Sequence, residues 1–138
     1  LCLSYSAGAP NQRGENDPEV IAMIRGERDR KGIQTRRVRA GEIQRRCLAA
    51  LVNEGARLLR EGIATRPSDI DMVMIHGCGF PRWRGGPMMA ADLAGLLNIQ
   101  GDLKEYAQED PDFWAADPVF QQFFKNGQGF SDLNNDPL

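Results

Sequence analysis

Between Gly41 and Gly62, Ile43, Cys47, Leu51, Gly55, Leu58 and Leu59 recur at spacings of three and four, with Leu48, Val52 and Ile63 flanking them. That period belongs to an α-helix and to no strand, and so wide an apolar face requires cover from several neighbours. No segment of the chain alternates apolar and polar residues over more than four positions, so the expected fold is all-α. With 138 residues, 41% of them hydrophobic and 26% charged, the chain has globular usage and enough length for one core without disulfides or metals. No apolar run approaches the eighteen or so residues of a membrane helix, and no membrane partner is expected.

Shorter helices are expected around this long one. Asp17-Pro18 offers a cap followed by proline at the first helical position, Val20, Ile21 and Ile24 form a stripe, and Gly32 is placed to end a helix after about Lys31. The first seventeen residues read as a linker. The organisation expected is therefore a linker with a lead-in helix over 1–38 and one helical domain over 39–138. Ser68 and Asp71 have the spacing of a capping box, with Ile70, Val73 and Met74 turned inward. Met89, Leu93, Leu96 and Leu97 continue as one stripe with Asp92 near its start, and two more helices are expected near Gly101 to Glu109 and Pro118 to Asn126. Phe120, Phe123, Phe124, Leu103, Tyr106, Phe113 and Trp114 read as packing. Gly127, Gly129 and the Asn134-Asn135-Asp136-Pro137 tail read as the end of the domain.

Two places invite a functional reading. Asn53 and Glu54 fall within the long helix, one turn before Arg57; they suit either a general base or substrate hook, or a polar node fixing neighbouring loops. A carboxylate on a largely buried helix has to be paired. The run Gly77-Cys78-Gly79-Phe80-Pro81-Arg82-Trp83-Arg84-Gly85-Gly86-Pro87-Met88 is the most unusual stretch. It lacks the third glycine of a dinucleotide fingerprint and a preceding strand. Cys78 beside the sole histidine, His76, has no third group to orient it, and one histidine with scattered acids makes no metal site. Arg82 and Arg84 around Trp83 fit either an anion grip or a rigid turn that lets two helices approach.

Charge and cysteines limit the rest. Residues 1–66 hold 13 Arg and Lys against 8 acids, and residues 67–138 hold 4 against 11. The cluster from Arg25 to Arg46 opens an alternative reading as a basic helical nucleic-acid-binding module. Of the ten aromatics only Tyr5 precedes Phe80, so the cluster lacks stacking partners, and the favoured expectation is a solvated or interface surface with no nucleic acid bound. Cys2, Cys47 and Cys78 are odd in number and widely spaced, which suits a reducing compartment, the cytoplasm. A start at Leu-Cys-Leu, with no leader pattern, suggests a piece of something longer.

The run from Leu51 to Ala64, then Arg66 to Asp71, then Gly77 to Met88 with Ala91-Asp92, resembles the C-terminal helical domain of 3-hydroxyacyl-CoA dehydrogenases. More narrowly, it is similar to the second, terminal copy of that domain in the multifunctional β-oxidation enzymes that also carry an enoyl-CoA hydratase region. The resemblance covers roughly residues 40–138 and implies an all-α helical domain. It implies that the NAD site and the catalytic His and Glu lie upstream, so this piece binds no cofactor of its own, while the parent uses NAD and an acyl-CoA substrate. Family members place an Asn-Arg pair near the start of the long helix; here the pair is Arg45-Arg46, and only Arg46 matches. The resemblance thus implies a non-catalytic packing domain, with Asn53, Glu54, Phe80, Pro81, Trp83, Arg84, Gly85, Gly86 and Pro87 as structural or interface residues. The upstream dehydrogenase copy is the expected partner, and the exposed face opens the way to a homodimer of the piece.

Overall fold

The computed structural model describes residues 3–4 and 15–135, and the chain divides into two compact units, residues 1–37 and 38–138. In the first unit, Leu3–Ser4 (β1) pairs antiparallel with Glu15–Asn16 (β2), a two-residue ladder inside the stretch expected to be linker. The remainder of that stretch, residues 5–14, lies outside the described residues, as does Cys2. Helix α1, Pro18–Arg30, starts as its sequence requires: the Asp17 carboxylate accepts from the amides of Glu19 (2.9 Å) and Val20 (3.4 Å), and Pro18 occupies the first turn. None of its residues is buried.

The second unit is built on α2, Ala40–Arg60, with α3 (Pro67–Gly77), α4 (Pro87–Ala94), α5 (Leu96–Tyr106) and α6 (Val119–Asn126) packed around it. Short 3-10 turns cover Arg82–Arg84 and Phe130–Asn134. The architecture is all-α, as the periodicity and the resemblance imply. No helix among the described residues is long and apolar enough to cross a membrane.

The face of α2 that enters the core is not the full stripe expected. Leu48, Ala49, Val52, Gly55, Ala56 and Leu59 are buried, whereas Ile43, Cys47 and Ile63 are exposed and Leu51 and Leu58 half-buried. The long helix is apolar on two sides, and its neighbours select the side with small residues, where backbones come closest. A Cβ at Gly55 would lie 2.6 Å from the Met88 Sδ, so glycine there is what brings α4 onto α2. Met88, Leu103, Tyr106, Phe120, Phe123 and Phe130 complete the core fully buried, with Phe123 edge-on to Phe130 at 4.9 Å.

Three further expectations fail for local reasons. The stripe from Met89 to Leu97 is broken at Gly95, whose φ of 87° no helix continues, so one expected helix becomes α4 and α5 and leaves Met89, Leu93 and Leu97 on the surface. Helix α5 accordingly starts at Leu96, ahead of Gly101. Val73 also faces outward, while Ile70 is buried and Met74 half-buried. Phe113 and Phe124 are exposed, unlike Phe120 and Phe123.

Candidate interaction site

Side chains that reach across the fold hold the Phe80 to Pro87 turn in place. Ser68 and Asp71 do not form a capping box: Arg66 occupies the cap of α3 without a side-chain capping bond, and Pro67 needs no donor satisfied. Asp71 instead points at the start of α4, where its carboxylate accepts from the amides of Met88 (2.7 Å) and Met89 (3.1 Å). Sequence reasoning missed this role; the signal was an acid sixteen residues before Pro87, at a Gly-Pro helix start that has no side-chain cap of its own. Only 8% of Asp71 is exposed, and burial holds its carboxyl above the usual carboxylate range despite the two amides. Gly86 completes the contact. Its φ is 103°, and a Cβ there would meet the Asp71 side chain at 2.3 Å.

The same device recurs twice. Asp92, on α4, accepts from the amides of Phe130 (2.9 Å) and Ser131 (2.8 Å), which start the last 3-10 turn. Asn134, in that turn, accepts through its Oδ1 from the Ser68 amide at the start of α3 (2.9 Å). The tail expected to end the domain therefore folds back onto it as far as Asn135, and residues 136–138 lie outside the described residues.

Eight of the nine expected site residues fall into two groups. Phe80 to Pro87 form one continuous turn: the Phe80 amide donates to the Met74 carbonyl (2.9 Å), Phe80 is half-buried against the core, and Pro87 is fully buried. Pro81 is exposed, Gly85 and Arg84 are half-buried, and Trp83 is 84% exposed, with the Arg84 guanidinium 5.4 Å from its ring. Asn53 serves another region. It is 4% exposed, and its side chain donates to the Ala115 carbonyl (2.8 Å) and accepts from the Asp117 amide (2.9 Å), fixing the approach to α6. Glu54 joins neither group: it is exposed and pairs with the half-buried Arg57 at 3.2 Å. The buried, paired carboxylate expected there is in fact Asp117, which accepts from the Val119 amide (3.0 Å) and from Arg60 Nε (2.9 Å).

The basic cluster is divided between the two units. Arg30 and Lys31 share Glu27. In the second unit Arg45 faces Asp102 (3.4 Å) and Glu105 (3.9 Å), and Arg46 joins Glu42 (3.0 Å) and Glu109 (2.7 Å) while lying 4.0 Å over the Tyr106 ring. The charge asymmetry of the sequence is thus expressed partly as internal pairing. A groove of about 540 Å³ beside the turn is lined by Arg45, Leu48, Arg84, Leu97, Asn98 and Asp102. Among the described residues no three His, Cys, Asp or Glu side chains lie together as a metal site would need. Cys47 and Cys78 are exposed free thiols, and His76 lies near the end of α3.

Buried polar groups that pin backbone around an exposed turn define a small helical domain. The sequence profile of the 3-hydroxyacyl-CoA dehydrogenase C-terminal domain matches residues 41–130. The chain belongs to this family. It is similar to the peroxisomal bifunctional enzyme of Danio rerio, 43% identical over 102 residues that make 74% of this chain and 14% of the relative, and to that of Homo sapiens at 39% over the same shares. The fatty acid oxidation complex subunit alpha of Shewanella amazonensis is 30% identical over 126 residues, 91% of this chain and 17% of the relative. The chain thus spans only a small part of the length of these relatives.

Proposed function

We propose that this chain is the terminal helical part of a fatty acid β-oxidation enzyme that combines enoyl-CoA hydratase with NAD-dependent 3-hydroxyacyl-CoA dehydrogenase, and that it braces the active dehydrogenase copy without doing chemistry itself. The observation that carries the reading is the family match over residues 41–130, coupled with relatives whose names are bifunctional or fatty acid oxidation enzymes. The site geometry supports the brace. Buried Asn53, Asp71 and Asp117 are spent on main-chain amides and carbonyls, and Arg45 is held by Asp102 and Glu105. Gly77-Cys78-Gly79 closes a helix and does not follow a strand, so it does not fit a dinucleotide, and NAD belongs with the remainder of the parent. There NAD would supply the hydride acceptor for oxidation of a 3-hydroxyacyl-CoA. The exposed thiols of Cys47 and Cys78 support a reducing compartment, the cytoplasm in this reading.

The test compares the parent enzyme with a version lacking the segment equivalent to residues 39–138, reading thermal stability and NADH formation from a 3-hydroxyacyl-CoA. A lowered melting temperature together with reduced turnover is expected. Unchanged stability and turnover would refute the brace, and NADH formation by this chain alone would refute the claim that it does no chemistry.

A further inference from the structure

We propose that the groove between the start of α2, the Arg82–Arg84 turn and the start of α5 binds a phosphate group, free or carried as a monoester. The groove has a volume of about 540 Å³ and lies wholly within the second unit. This assignment goes beyond the brace and does not depend on it.

Three walls supply donors. Gln44 and Arg45 come from α2, Arg84 comes from the 3-10 turn, and Leu97 and Asn98 come from the first turn of α5. Arg84 is half-buried, lies 5.4 Å from the Trp83 ring and pairs with no carboxylate among the described residues. Arg45 does meet carboxylates, but at 3.4 Å from Asp102 and 3.9 Å from Glu105, longer than the about 2.7–2.9 Å of a charge-assisted hydrogen bond. Its guanidinium is thus oriented by acids without having its donors consumed.

Helix α5 adds its positive end. Its cap is Gly95, which has no side chain to bond the first amides, and its first turn holds no acid. The Asn98 side chain donates back to the Ala94 carbonyl (2.7 Å) and does not cap the helix. The start of an eleven-residue helix, uncapped by any side chain, therefore opens on the groove through Leu97 and Asn98. Independently of that helix end, the Tyr106 hydroxyl is fully buried with no hydrogen-bond partner, and its charged neighbours include Arg45 and Asp102 of the groove. Buried hydroxyls are seldom left so, and this one is turned toward the basic wall.

Charge and shape select the ligand. Arg45 and Arg84 outnumber Asp102 around the groove, so an anion is favoured, and a doubly charged one gains most. A planar carboxylate has two oxygens and reaches two walls, whereas phosphate carries three strong acceptor oxygens set tetrahedrally and reaches all three. Leu48 and Ile99 add apolar lining that suits an organic body beyond the phosphate.

Isothermal titration of n-butyl phosphate, inorganic phosphate and butyrate into the 138-residue chain at low salt tests the site. The variants are Arg84→Gln, Arg84→Lys and Arg28→Gln, each checked for fold by circular dichroism; Arg28→Gln removes the same charge from the exposed surface of α1. n-Butyl phosphate is expected to bind with a dissociation constant of about 0.1–1 mM. Arg84→Gln is expected to weaken it about tenfold or more, and Arg84→Lys, which keeps the charge and loses the fork, about threefold. Arg28→Gln is expected to leave it unchanged. Inorganic phosphate bound about tenfold more weakly identifies an organic monoester, whose methylenes add affinity, and equal binding identifies free phosphate; either supports the site. No phosphate binding below about 10 mM, butyrate as tight as n-butyl phosphate, or equal loss in Arg28→Gln and Arg84→Gln overturns the proposal. None of these outcomes touches the brace, which stands or falls on the truncated parent.

Discussion

Replacing Asp71 probes the contact on which the turn depends. Asp71→Ala leaves the Met88 amide, buried in the core, and the Met89 amide at the head of α4 without their acceptor. A hydrogen bond to a charged group contributes about 1.5–3 kcal/mol and a lost helix cap costs about 0.5–2 kcal/mol, while removing a desolvated carboxylate returns part of this. The net loss expected is about 2–4 kcal/mol, which in a domain of this size lowers the melting temperature by about 10–25 °C. Asp71→Asn, which keeps one strong acceptor, is expected to lose about half as much. Thermal and urea denaturation followed by circular dichroism give both numbers. A loss for Asp71→Ala below about 0.5 kcal/mol, the scale of an ordinary surface change, would refute the reasoning. The pH dependence is a second check. Burial, outweighing the two amides, raises the folded-state pKa, so between the ordinary carboxylate range and that raised value the folded chain holds a proton the unfolded chain has released. Stability contributed by Asp71 is then fully present in acid and falls as pH rises through that window. The advantage of wild type over Asp71→Asn should shrink across it; a widening gap would show that the amides outweigh burial.

Three other substitutions separate structural from surface roles. Asn53→Ala removes both bonds that fix the approach to α6 and is expected to cost about 2–4 kcal/mol in urea denaturation, whereas Glu54→Ala, one residue along, should stay within about 0.5 kcal/mol. Gly86→Ala combines a left-handed backbone with a clash against Asp71 and should cost more than about 2 kcal/mol by thermal melting, with a wild-type melting temperature arguing against the geometry of the turn.

What the sequence disclosed was whatever is local or periodic. The cap at Asp17-Pro18 and the long helix follow from neighbours a few residues apart, and the helical class follows from the spacing of Ile43 to Leu59. The unusual turn from Phe80 to Pro87 was visible because two glycines and two prolines so close together exclude a helix. Which side of α2 enters the core was not visible, since both sides are apolar and only the packing of Met88 against Gly55 selects one. Nor was the partner of the Met88 amide. Asp71 and Ser68 satisfy a local pattern equally well, and the choice between capping their own helix and capping another is made by Pro67, which removes the need, and by Gly86, which admits the carboxylate. Glu54 misled because helical spacing tells which residues share a side, not which side is wet.

The three distant caps close on themselves. Helix α3 holds the start of α4 through Asp71, α4 holds the last 3-10 turn through Asp92, and that turn holds the start of α3 through Asn134. Each element is both clamp and clamped, so none can fray without releasing the next. Within the circuit no element is without a clamp, and Asn134, near the end of the described residues, becomes a working part of the domain. Stiffness at α4 is therefore a property of the whole circuit and not of that helix alone.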